Sequence, residues 1–199
     1  MRETAGDNRS ARRTRALIER AFLELMERKP IRKITVQELI DRANIGRTTF
    51  YTHYHDIPDL LESIEQALLD EVRCALEKLD RMPIRVNDTY PTIQTVVEVF
   101  AQRADLFLLL NGANGDPTFD ERFQSTIYEA TRELRALKEG DAFDEMRHKL
   151  YSCYVIGGGI SVLNRLLKER LPLDVQQTSI VLGAMAAAGE RVFLDQSDD

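Results

Sequence analysis

The chain has 199 residues, 43% hydrophobic and 30% charged, a globular composition that excludes the low-hydrophobicity signature of disorder and has room for one large domain or two modest ones. Its net charge of −6 hides an asymmetry: up to His55 there are twelve Lys or Arg against seven Asp or Glu, a net of +5, and after it fifteen against twenty-six, a net of −11. A basic head suited to a polyanion precedes an acidic body.

Cys74 and Cys153 are too few and too far apart for a disulfide framework or a C-x-x-C site, and both read as small core hydrophobes more readily than as redox sensors. No apolar run reaches the roughly 18–20 residues of a membrane span, and the basic start from Met1 to Arg15 lacks a signal-peptide core. The expectation is a cytoplasmic protein without a membrane partner.

Alternating strand patterns are almost absent, whereas apolar residues recur at helical spacing nearly everywhere, so the expected class is all-α. Fraying is expected through Asn8 and from Gln196. The first helix is expected from about Ser10 to Arg28, with Leu17, Ile18, Ala21, Phe22, Leu25 and Met26 on one face and Pro30 beyond its end. Arg9, Arg12, Arg13 and Arg15 crowd its beginning, where cations oppose the helix dipole; phosphate binding is a reason for them to stand there.

Thr35 opens a second helix through a Thr-x-x-Glu capping box with Glu38, and Val36, Leu39, Ile40 and Ala43 form its buried face. Asn44 suits the left-handed conformation of a tight turn. A third helix then begins near Gly46 and carries Arg47, Thr48, Thr49, Phe50, Tyr51, Thr52, His53 and Tyr54. Two short helices joined by a tight turn, the second rich in hydrogen-bond donors, form a helix-turn-helix pattern.

The run TVQELIDRANIGRTTFYTHYH, Thr35 to His55, resembles the helix-turn-helix of the TetR family of bacterial transcriptional regulators, and the helix with Leu17, Ala21 and Leu25 resembles that family's first helix. The resemblance covers roughly the first 60 residues. It implies an all-α protein with a DNA-binding domain over 1–55 and a helical sensor and dimerisation domain over 56–199. Arg47, Thr48 and Thr52 would then contact bases, with an exposed polar helix start as the bland alternative. Thr35, Thr49, Tyr51 and His53 match positions that hold phosphates, and Tyr51 also fits packing against the first helix. Asn44 replaces a common turn glycine, Gly46 a common serine cap, and Ile57 a common phosphate-binding lysine, so His55, Arg12 and Arg13 are expected to supply backbone contacts instead.

Asp56 can cap a fourth helix running to about Arg81, with Pro58 in its first turn and Leu60, Leu61, Ile64, Leu68, Val72, Ala75, Leu76 and Leu79 as one stripe. Pro83 and the stretch from Val86 to Pro91 break the chain. Helices are expected over Pro91–Arg103, Asp105–Leu110 and Phe119–Lys138, with a glycine-containing loop from Asn111 to Pro117. The closing pair is expected over Ala142–Arg170 and Asp174–Asp195, separated by Leu171-Pro172.

Small residues concentrate on that pair. Three consecutive glycines cost a helix about 1 kcal/mol each relative to alanine, so Gly157, Gly158 and Gly159 ask for a packing reason. The resemblance implies a four-helix dimer interface there, with Gly157, Gly158, Ser161, Gly183, Ala184 and Ala187 in it. Arg103, Phe107, Tyr128, His148, Tyr151 and Tyr154 are candidates for an effector pocket, although each aromatic by itself fits a plain core position more readily. His53 and His55 are two apart on a helix and point to different sides, so no metal and no cofactor is expected.

The functional expectation is a ligand-responsive repressor that binds a palindromic operator in double-stranded DNA as a homodimer. An enzyme lacks its parts, for there is no phosphate loop, nucleophile elbow or metal triad. A helical protein-interaction module is the competing class, and binding of genomic DNA fragments separates the two.

Overall fold

A computed structural model of the chain describes residues 5–80, 90–139 and 144–193. The described residues form nine α-helices: α1 (Ala5–Met26), α2 (Val36–Ala43), α3 (Arg47–His53), α4 (Ile57–Asp80), α5 (Tyr90–Gln102), α6 (Ala104–Leu110), α7 (Phe119–Glu139), α8 (Glu145–Lys168) and α9 (Val175–Phe193), with a short 3-10 turn at Ile31–Lys33. Among the described residues there is no strand, and the all-α expectation holds. Each expected helix is present, with ends moved by a few residues; α1 begins at Ala5 rather than Ser10. The expected breaks at Pro83 and Val86, the start near Ala142 and the ends near Asp195 and Gln196 lie outside the described residues.

The chain forms two compact units. The first reaches Ala67 and also takes in Leu109–Pro117, so it extends beyond the expected boundary at His55 and includes a loop from far along the chain. Its core holds Ile18, Ala21, Phe22, Leu25 and Met26 of α1, Ile34 after the 3-10 turn, Leu39 and Ile40 of α2, Phe50, Tyr54, Ile57, Leu60 and Ile64. Burying a side chain of this size contributes about 1.5–3 kcal/mol, so the stripe on α1 organises the two short helices, which are too short to be stable alone.

The loop is bound to the end of α1. The Ile31 N–H donates to the Asn114 carbonyl (3.2 Å), and Asn114 Nδ2 donates to the Met26 carbonyl (2.9 Å), one of the carbonyls a helix C-terminus leaves without an internal partner. Gly115 is required here: a Cβ at this position would lie 1.9 Å from the Leu110 carbonyl oxygen.

The second unit contains residues 68–108 and those from Thr118 onward. Within it α5 packs on α9, α7 on α8, and α8 on α9. Its interior is aromatic: Phe107 stacks on Phe100 with centroids 4.0 Å apart and meets Phe123 edge-on at 4.8 Å, while Phe119 is fully buried beside them. Such pairs add about 0.5–1.5 kcal/mol beyond area burial.

Two expectations need correcting. Cys74 and Cys153 are both exposed and free, so neither is a core hydrophobe. The view that nothing is long and apolar enough to cross a membrane also fails for α8, which contains an 18-residue window of mean hydropathy 1.2. Its apolar residues are divided between the interior and the surface. Tyr151, Ile160, Leu163 and Leu167 point inward, whereas Met146, Leu150, Tyr154 and Val162 stay exposed.

Candidate nucleic-acid interface

The local geometry of the helix-turn-helix follows from its sequence. Thr35 Oγ1 accepts the Glu38 N–H (3.3 Å) and donates to Glu38 Oε2 (2.8 Å), which also accepts the Thr35 N–H (3.1 Å). Lys29 pairs with the other Glu38 oxygen. These bonds, the one from Lys29 foremost, hold the Glu38 carboxyl down at about 2, against an ordinary 4.5. Both Thr35 donors are therefore turned to Glu38. In this arrangement the residue caps α2.

Asn44 takes the left-handed conformation (φ 53°) after α2, as expected for a tight turn. Gly46 then opens α3. Phe50 is fully buried. Tyr54 lies just after α3 with extended backbone, and its buried hydroxyl donates to Glu19 Oε1 of α1 (3.1 Å). Burial, helped by the Glu19 charge, pushes the Tyr54 phenol above its usual range, so it stays protonated as the donor. Tyr54 thus fastens the end of α3 to α1.

With Phe50 and Tyr54 turned inward, α3 leaves Arg47, Thr48, Tyr51 and Thr52 exposed, at positions i, i+1, i+4 and i+5 of one face. All three expected base contacts are brought together there, and Tyr51 sits among them, edge-on to Phe50 at 5.3 Å. Thr52 Oγ1 donates to the Thr48 carbonyl (2.9 Å), so its hydroxyl retains acceptor capacity outward. Arg47 Nη2 donates to Gln37 Oε1 of α2 (3.0 Å). Gln37 was not singled out from sequence, although its spacing of four from Asp41 was a readable sign of a paired polar face.

Thr49 and His53 are half-buried at the side of this face, and His55 is exposed with its backbone N–H held by Asp59 Oδ2 (2.7 Å). Asp56 caps α4 through the Asp59 N–H (2.8 Å). Ile57, where the family resemblance puts a lysine, is in the core. Several cations of this unit are already paired: Arg42 and Arg20 with Glu24, which lowers the Glu24 carboxyl, Arg42 contributing most. Arg12 and Arg13 are exposed on α1 and have no side-chain partner among the described residues.

In the second unit the expected effector residues are not alike. Arg103 is exposed and bonded to Glu71 (2.9 Å), Phe107 is wholly within the aromatic core, and Tyr154 is 68% exposed. Tyr128 stacks on buried His148 at 5.6 Å, and the Tyr151 hydroxyl donates to the Ala186 carbonyl (3.1 Å). Of the expected dimer residues, Gly158, Ser161 and Ala184 are exposed, while Gly157 and Ala187 are half-buried. Gly183 is buried against Tyr90, where an added Cβ would come within 2.9 Å of the ring. Its glycine is needed for α5 to pack on α9 inside the chain.

No family model matches the sequence. A stretch of 61 residues, 30% of this chain, is 34% identical to an uncharacterised HTH-type transcriptional regulator, YxbF, of Bacillus subtilis, and spans only 16% of that protein's length. The fold is similar to that of a TetR transcriptional regulator from Streptococcus agalactiae, at 25% identity and a TM-score of 0.62, covering 90% of this chain and 96% of the other. It is also similar to the fatty acid degradation regulator FadR of Bacillus halodurans, with a TM-score of 0.65, 14% identity, and 96% and 99% coverage, a likeness of fold alone. With a helix-turn-helix carried in its sequence and a fold shared over nine-tenths of its length, the chain is similar to TetR-type transcriptional regulators.

Proposed function

We propose that this chain is a sequence-specific DNA-binding regulator that works as a homodimer on a near-palindromic operator and releases it in response to a small molecule. The observation that carries the reading is the outer face of α3, where Arg47, Thr48, Tyr51 and Thr52 stand together, exposed, on a helix fixed from behind by Phe50 and Tyr54. A helix of this kind in the major groove reads base edges, and an arginine fork matches O6 and N7 of guanine.

Backbone anchoring comes from Thr49, Tyr51, His53, His55, Arg12 and Arg13. The lysine expected after His55 is replaced by a core isoleucine, and each phosphate contact contributes about 0.9 to the slope of log affinity against log salt. Replacing Arg12 and Arg13 together with Ala should weaken specific and random-sequence binding alike and flatten the slope by about one to two units. A loss confined to the operator would make these residues sequence readers, and no change at all would remove them from the interface.

A second copy is the partner that the α8 and α9 surfaces ask for. Met146, Leu150, Tyr154 and Val162 form an exposed stripe on α8, and Ile180, Val181 and Met185 one on α9. Among the described residues, nothing beyond the adjoining turns of α8 itself comes within 4 Å of a Cβ placed at Gly158 or Gly159, so the approach those glycines permit is not used by the described part of one protomer. Two such surfaces paired across a two-fold axis bury each other, and a dimeric reader of this class meets half-sites about 34–36 Å apart on DNA. A repressor of this type releases DNA when an effector prefers a different spacing, for which a coupling of about 1–3 kcal/mol suffices. Tyr128, His148 and Tyr151 are the residues of the second unit best suited to an effector contact.

The deciding experiment is selection of binding sites from random duplex DNA, followed by titration of Arg47→Ala. The expected result is an inverted repeat, with preference relaxed at one symmetric pair of positions by about 1–3 kcal/mol per half-site. Failure to enrich any sequence would sink the reading and favour a protein-interaction module.

A further inference from the structure

Arg47 does not stand alone at the start of α3. Its Nη2 donates to Gln37 Oε1 at 3.0 Å, and Gln37 Nε2 donates in turn to Asp41 Oδ1 at 2.9 Å. Gln37 and Asp41 are four apart on α2, hence on the same side of that helix. A guanidinium is donor-only and an ionised carboxylate acceptor-only, so just one orientation of the amide satisfies both neighbours. Reversing it would set N–H against N–H on one side and oxygen against oxygen on the other. The carboxylate therefore fixes the amide, and the amide fixes one edge of the arginine fork.

All three residues are exposed, and exposed polar pairs contribute little to folding stability. The chain of bonds spans the two helices of the helix-turn-helix and ends on the side chain best placed to read a base. An arginine carries much rotamer freedom, and bidentate recognition of guanine needs its plane held in one setting. Asp41 is otherwise out of place, because an acidic group near a polyanion lowers affinity for every sequence.

We infer that Gln37, oriented by Asp41, is a positioning residue that presents Arg47 and sets how strictly one base pair is read. This rests on the DNA-binding reading above. The geometry separates two roles that are usually joined: Arg47 makes the contact, and the Asp41–Gln37 pair decides how much discrimination that contact yields.

The test is binding-site selection with the full chain, run in parallel on wild type, Arg47→Ala, Gln37→Met, the double variant, Gln37→Glu and Asp41→Ala, with thermal midpoints as a control on folding. Arg47→Ala defines the operator positions concerned. Gln37→Met, of similar volume without polar ends, should relax preference at those same positions by about 3–10-fold while leaving random-sequence affinity and thermal midpoint unchanged. The double variant should read like Arg47→Ala alone. Gln37→Glu keeps an acceptor for Arg47 and should retain the preference while lowering affinity for all DNA. Asp41→Ala should raise random-sequence affinity and still relax the preference, two opposite changes that a structural role would not produce.

The inference is overturned if Gln37→Met leaves the preference intact, if it acts additively with Arg47→Ala, or if it alters a different position, which would make Gln37 a reader of its own base. If wild type enriches no sequence, or Arg47→Ala changes no position, the underlying reading fails first and this inference goes with it.

Discussion

Helices α3 and α8 handle exposure in opposite ways. The first turns its large aromatic residue inward and shows Arg47, Thr48, Tyr51 and Thr52; the second buries one apolar face and shows another, with Tyr154 68% and Met146 65% exposed. A polar face is stable in water as it stands and gains when a hydrated polyanion displaces that water. An apolar face exposed over several turns is incomplete by itself and marks a surface that another protein covers. On the function proposed above, one chain carries a finished surface for DNA and an unfinished one for a second copy.

The comparison can be broken first at the interior that α8 shares. Phe107 is fully buried in the aromatic cluster of the second unit, and Phe107→Ala should lower stability by about 3–5 kcal/mol in urea denaturation. A loss under 1 kcal/mol would mean that this core is open enough to collapse or admit a ligand.

Tyr154 tests the outward face of the same region. Tyr154→Lys should leave the denaturation of the monomer unchanged but weaken self-association by about 2 kcal/mol, roughly 30-fold in dissociation constant by sedimentation. Unaltered association would move the interface off α8. Loss of folding instead would show that Tyr154 is covered within the chain.

Thr35 and Glu38 sharpen the other side, where the interactions are local. Thr35→Ala should cost about 1 kcal/mol through the lost cap. The Glu38 carboxyl is held at about 2 instead of 4.5, and a depressed folded-state pKa contributes stability that is full above pH 4.5 and lost as pH falls toward 2. Glu38→Gln should therefore be less stable than wild type at neutral pH, with the difference closing between those two values in an acid titration. A difference independent of pH would assign the effect to shape alone.

The smallest expected effect has the opposite sign. Arg170 follows α8 in the left-handed conformation (φ 53°), where its N–H and that of Leu171 return to the Leu167 and Leu166 carbonyls (3.1 and 2.9 Å). That bonding is the usual helix stop, normally given to glycine. Arg170→Gly should stabilise the chain by about 0.5–1 kcal/mol in thermal unfolding. A destabilised variant would show that the arginine side chain makes a contact outweighing the backbone strain.

Features that rest on neighbours in sequence were legible before any coordinates. The capping box at Thr35, the left-handed Asn44, the cap at Asp56 and the loop over Asn111–Pro117 involve residues a few positions apart, and the structure has them all. The outward placement of Arg47, Thr48 and Thr52 was legible for the same reason, since helical periodicity put Phe50 on the other side. Thr35 shows the limit: its hydroxyl suits a cap and a phosphate equally, and only the structure shows that the cap with Glu38 is made. Gln37 is not legible in the sequence, because a glutamine on a polar helix face is ordinary until its partner on the next helix is known.

Helix order, the turn chemistry and the basic head are therefore properties of the sequence, because capping and periodicity act within a turn or two of helix. Burial and pairing over long separations belong to the tertiary structure. Tyr54 reaches Glu19 across 35 residues, Asn114 reaches Met26 across 88, Gly183 is needed against Tyr90, and both cysteines face outward. Residue type sets which of these contacts are chemically possible. Which one forms depends on the packing of segments that are distant in the chain, and local physics carries no record of that.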